Sequence, residues 1–234
     1  MSASNTHWGG LYKIAGVSAL ILLVYSLVTM ALLVAIGGMP ETAQAGFDLL
    51  AENRSIGLLR LDALTILLLP FYYPLLLGLY GALRGMDGEK PLLSLVLGLA
   101  GVTLVLATPS AFSFLTLSDK FAAATEEAQR TLLLAAGEAM LASDLWHGSG
   151  ALVGGLLMQT STLILSAVML RSAAFGKATA WVGVVMHGLD LLHIAAGFFL
   201  PAAGVVLMMV AGPLYLVWFP LLARDFFRLA KDKQ

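Results

Sequence analysis

Three ionisable residues sit where lipid would make them costly. His187, Asp190 and His193 follow one another at i, i+3 and i+6 in a stretch that is otherwise apolar. Counted from Lys177, they lie ten, thirteen and sixteen residues along, roughly 15, 20 and 24 Å at the helical rise. In a hydrocarbon core of about 30 Å, the first two fall near the midplane and His193 in the outer third. That spacing makes one stripe on a helix, and such a stripe must face the bundle interior or a wet cavity. A carboxylate flanked by imidazoles offers a proton site, a hydrogen-bonding centre for a small solute, or two ligands for a metal. All three side chains cannot hold one ion from a straight helix, because i and i+6 are separated by about 9 Å along the axis.

Other polar residues reach the same level by the same count. Gln159 and Tyr72 are each twelve residues from the basic residue that ends their segment, Arg171 and Arg84, which is roughly 18 Å. Tyr25, Thr103 and Ser161 also fall in this layer. Gln159, His187, Asp190, His193 and Tyr72 are therefore the candidate ligand-binding set. Near pH 7 Asp190 is expected to be neutral and hydrogen-bonded to His187 or His193, or to share one proton with it, because no Lys or Arg stands at matching depth. A second constellation, Asp144, His147 and Ser149, lies in DLWHGSG at the outer mouth of the fourth segment. The bland alternative there is a cap from Asp144 and an interfacial Trp146.

These residues need a membrane bundle to position them. Of 234 residues, 59% are hydrophobic and only 12% charged, with net charge −1, and the mean hydropathy is +0.91. So little charge leaves no surface for a soluble domain and no basic face for nucleic acid. With no cysteine, disulfides and thiolate chemistry are excluded. Charge-free stretches run Ile14 to Pro40, Ala63 to Leu83, Pro91 to Ser118 and Leu145 to Leu170. The stretch Ala178 to Ala223 holds 46 residues with one acid, Asp190, enough for two spans of about 20 residues or more each. Leu200-Pro201-Ala202-Ala203-Gly204 marks the break between them. The expected fold is all-α, a single domain of six spans near 13–37, 61–83, 91–117, 146–170, 178–200 and 203–223. The first apolar stretch is too long for a signal peptide and is read as a retained span.

Nine of the thirteen basic residues fall on the side that holds both termini. By the positive-inside rule the termini are cytoplasmic, and the loops near 41–59 and 118–144 are external. Residues 119–143 read as an external amphipathic helix with Ser118 as its N-cap and Glu126 paired to Arg130 at i, i+4.

Two stretches carry a family resemblance. Leu67 to Arg84, LLLPFYYPLLLGLYGALR, and Phe112 to Leu141, FSFLTLSDKFAAATEEAQRTLLLAAGEAML, together resemble an uncharacterised family of bacterial six-span integral membrane proteins, a domain of unknown function. The resemblance implies a multi-pass protein of the bacterial inner membrane and carries no activity or catalytic residue. His147-Gly148-Ser149-Gly150, with His193 later, resembles the intramembrane serine proteases of the rhomboid type. That resemblance implies Ser149 as nucleophile and His193 as base. Three departures weigh against it. His147 stands where that family has glycine, its upstream histidine-and-asparagine helix is missing, and a single loop separates the two helices.

Three functions follow as expectations. The leading one is a carrier or binder of a small solute or lipid, with an intramembrane Asp/His site in the lipid bilayer. The second is a membrane-embedded enzyme, a hydrolase or a metal-dependent one, using His and Asp. The third is a structural or partner-binding membrane protein with no site. No cofactor is called for, and metal or haem binding at the histidines stays open as an alternative.

Overall fold

The computed structural model describes residues 8–86, 88–108, 111–143 and 148–232. Among them there are helices and turns and no strand. The helices are α1 (Gly9–Ile36), α2 (Ala43–Glu52), α3 (Arg54–Arg60), α4 (Ala63–Leu68), α5 (Tyr72–Leu83) and α6 (Glu89–Leu106). They continue with α7 (Ala111–Ala123), α8 (Glu127–Leu141), α9 (Ser149–Met169), α10 (Lys177–Phe199) and α11 (Pro201–Asp232). Six stretches are long and apolar enough to cross a membrane: α1, α4 with α5, α6 with α7, α9, α10 and α11.

Local chemistry explains the boundaries. Gly37 takes φ +85°, a left-handed conformation that suits glycine, directly after the last residue of α1. The second span is broken by a 3-10 turn at Leu69–Phe71, which contains Pro70 and precedes Pro74, since proline removes a helical donor and crowds the preceding turn. The expected break near Pro201 stands where it was placed, with Leu200 between α10 and α11. The expected single helix over 119–143 is instead two. Ser118 lies buried within α7 and is not a cap, and α8 begins at Glu127 with Glu126 at the N-cap position making no side-chain bond. Arg130 lies over the Phe121 ring, 4.7 Å from its centroid. Burying Phe121 and Phe114 carries α7 past the polar residues at which the sequence reading began a helix.

The chain divides into two compact units. One comprises 27–69 and 104–153. Its core is Phe47 of α2 between Phe114 and Phe121 of α7, with ring centroids 4.9 and 5.1 Å apart, joined by Leu50 and Leu61. The N-terminus of α2 is capped twice, by Thr42 on the Ala45 N–H at 3.2 Å and by Glu138 Oε1 on the Ala43 N–H at 2.7 Å. Thus both segments expected as external loops are largely helical and share this core.

The other unit comprises 1–26, 70–103 and 154–234. Its helices approach closely through small residues. A Cβ at Gly78 of α5 would fall 2.4 Å from Ala15 Cβ of α1, and one at Gly101 of α6 would fall 2.7 Å from the Gly154 carbonyl oxygen of α9. The Ser161 hydroxyl donates to the Ser94 carbonyl at 2.6 Å, tying α9 to α6.

Candidate functional site

The site is built on α9, α10 and α11, and two fastenings hold the α10–α11 pair in register. At one end, fully buried Asp225 of α11 accepts from the Gly176 N–H at 2.9 Å and the Thr179 hydroxyl at 2.6 Å. Its carboxylate thereby caps α10, where the helix dipole favours negative charge. Arg224 and Arg228 reach its other oxygen at 3.2 and 3.5 Å. At the far end, the His193 Nδ1–H donates to the Gly204 carbonyl at 2.9 Å. Gly204 and Gly197 pass closely there: a Cβ at 204 would fall 3.2 Å from the Gly197 Cα.

Between these fastenings a hydrogen-bonded chain crosses three helices. His187 Nδ1 meets Gln159 Oε1 at 2.6 Å. An amide oxygen only accepts, so Nδ1 carries the proton. The Gln159 Nε2 donates to the Tyr215 hydroxyl at 3.1 Å, and that hydroxyl donates to Asp190 Oδ2 at 2.5 Å. Every donor in the chain points toward Asp190, which is its terminal acceptor. Asp190 Oδ1 accepts no hydrogen bond among the described residues.

Aromatic rings pack along this chain. His187 stands edge-on to Trp218 at 4.7 Å and to Tyr215 at 5.9 Å between centroids. Phe219 touches Trp218 and Tyr215 at 5.6 and 5.7 Å, and Tyr72 reaches Phe219 at 6.3 Å. Tyr72 and Tyr215 both lie near enough to Asp190 to feel its charge. Burial is uneven along the chain. His187 is 1% exposed and Trp218 fully buried, whereas Asp190 retains 9% and Tyr215 is half-buried. His187 Nε2, Trp218 Nε1 and Ser166 Oγ are buried without partners. Two of them converge at Gly183, where a Cβ would fall 2.3 Å from Ser166 Oγ and 2.7 Å from Trp218 Nε1.

Of the five residues singled out as ligand-binding candidates, Gln159, His187 and Asp190 come together in one network, and Tyr72 flanks it. His193 is turned to the helix-hairpin fastening. The partner expected for Asp190 is corrected: it is Tyr215, and the neighbouring His187 is drawn to Gln159 on α9. Side chains at i and i+3 share a face but stand a turn apart, so α9 meets the first and α11 the second. Ser161 and Thr103 serve other contacts, the latter paired with the Tyr73 hydroxyl at 2.9 Å. Tyr215, Trp218 and Asp225 were not singled out. Tyr215 stands nine residues before Arg224, roughly 14 Å along the helix, so the same depth count places it in the layer. Asp144 and His147 lie outside the described residues, and Ser149 is the exposed first residue of α9. Among the described residues no three His, Asp or Glu side chains gather as a metal-holding group. The chain matches no family model, no curated protein and no solved structure.

Proposed function

We propose that the chain is a multi-pass protein of the bacterial inner membrane that binds or carries a small solute, with Asp190 as the ionisable centre of its site. The observation that carries this reading is the directed chain from His187 through Gln159 and Tyr215 to Asp190. An acidic side chain within an apolar span is costly and calls for a purpose. Here the Tyr215 hydroxyl orients one oxygen, and no hydrogen bond among the described residues occupies the other. Gln159, Tyr215 and Tyr72 position the carboxylate and shape its surroundings, and sealed His187 sets the direction of the chain. The broken second span, which delivers Tyr72 immediately after its 3-10 turn, accords with interrupted helices beside intramembrane binding sites. Both termini are assigned to the cytoplasm and the α7–α8 segment to the outer face, on the distribution of basic residues.

The test uses detergent-purified wild type and Asp190→Asn, which is near-isosteric and keeps an acceptor for Tyr215. Each is melted with three solutes of one shape: tetramethylammonium, tert-butanol and pivalate. At least one is expected to stabilise the wild type, by about 2.7 kcal/mol at about a hundredfold its Kd, and to lose that effect in the variant. If no solute distinguishes the two proteins, Asp190 is not a binding centre.

A further inference from the structure

We infer that the solute taken at Asp190 is a small organic monocation, a compound presenting an ammonium group. This rests on the reading of Asp190 as a binding centre and names the chemistry of what binds there. The argument begins with charge. Asp190 forms no ion pair with Lys or Arg among the described residues, whereas Asp119 and Asp225 each do. Neither neighbouring imidazole hydrogen-bonds to Asp190: His187 Nδ1 meets Gln159 and His193 Nδ1 meets Gly204. A carboxylate removed from water needs an opposite charge or a full set of hydrogen bonds. It has one bond, from Tyr215. An anionic solute would add repulsion, and a neutral one would leave the charge uncompensated. A cation at the free Oδ1 supplies what the protein does not.

The rest of the site selects the kind of cation. Hard metal ions such as calcium require six or more oxygen ligands at short range. Here one carboxylate stands with a phenol already donating its proton and an amide oxygen already accepting one. The rings that pack along the network are those of Tyr215, Phe219 and Tyr72, with Phe219 in contact with both tyrosines. Aromatic rings attract a weakly hydrated ammonium through their quadrupoles and offer little to a strongly hydrated metal. A carboxylate bonded to Tyr215, beside a cluster of aromatic rings, is therefore suited to an alkylammonium group. Without solute, a proton at Asp190 plays the same neutralising part, so ammonium and proton compete for one carboxylate.

The shape-matched series reads this directly. Tetramethylammonium is expected to raise the melting midpoint of the wild type, with sodium chloride at equal concentration as the ionic-strength control. Its Kd should be at least about tenfold tighter than that of tert-butanol, with no stabilisation by pivalate. Asp190→Asn should abolish the preference while retaining its helical circular dichroism. Tyr215→Phe, which keeps the ring and the Asp190 carboxyl group, should retain the preference for the cation at reduced affinity. A measurement on the wild type alone guards against a misfolded variant: tetramethylammonium added to weakly buffered protein should release protons, and sodium chloride should not. Stabilisation by tert-butanol or pivalate equal to that by tetramethylammonium, yet dependent on Asp190, overturns the cationic class and leaves the binding centre standing. Stabilisation by tetramethylammonium that persists in Asp190→Asn overturns both.

Discussion

At the scale of single residues, the network turns on the amide of Gln159. It takes the His187 proton with its oxygen and passes a hydrogen to Tyr215 with its nitrogen. Replacing it with leucine leaves a buried imidazole N–H without an acceptor and a phenol without a donor. A buried polar group stripped of its partner costs about 1–3 kcal/mol, whereas removing both partners can be close to neutral. Gln159→Leu is therefore expected to lower stability in detergent by about 1–2 kcal/mol. The double variant Gln159→Leu with His187→Phe should recover part of that loss. Reversible unfolding of the four proteins of this cycle measures the coupling. Strictly additive losses would show that the two side chains do not interact.

At the scale of elements, helix approach decides whether those residues meet. Gly101 of α6 faces the backbone of α9, where a Cβ would fall 2.7 Å from the Gly154 carbonyl oxygen and 2.8 Å from the Met158 N. Backbone atoms cannot swing aside as a side chain does, so Gly101→Ala must push the two helices apart. Gly188 of α10 has nothing within 4 Å of an added Cβ. There alanine has only its helix propensity to contribute, worth up to about 1 kcal/mol in favour. The expected pair of results is a lowered melting midpoint for Gly101→Ala and an unchanged or raised one for Gly188→Ala. Equal effects would mean that close backbone packing between α6 and α9 does not matter. The fastening at Asp225 belongs to the same scale, because a single carboxylate both caps α10 and ties it to α11.

At the scale of the whole molecule, the proposed orientation rests on charge outside the spans. Six spans would put nine basic residues on the side of the termini and four on the other. Reporter fusions at residue 174, between α9 and α10, are expected to report the cytoplasm, and fusions at residue 125, between α7 and α8, the exterior. An external signal at 174 would reverse the topology.

The class of this protein, its six apolar stretches and the proline-marked break between the last two were legible in the sequence, because they depend on composition and local backbone chemistry. So was the common level of Gln159, His187 and Asp190, which meet in one network, since a helix converts residue count into height. What only the tertiary structure decided was rotation and partnership. Height along one helix says nothing about which way a side chain faces on its neighbour. That is why Asp190 pairs with Tyr215 and not with a histidine beside it, and why Tyr215 and Trp218 entered the site unannounced. The same reason covers α7 and α8, whose division follows from burying Phe114 and Phe121 against Phe47, about seventy residues away in the chain. Local spacing specifies where a polar group lies in a helix; packing between helices specifies what it touches.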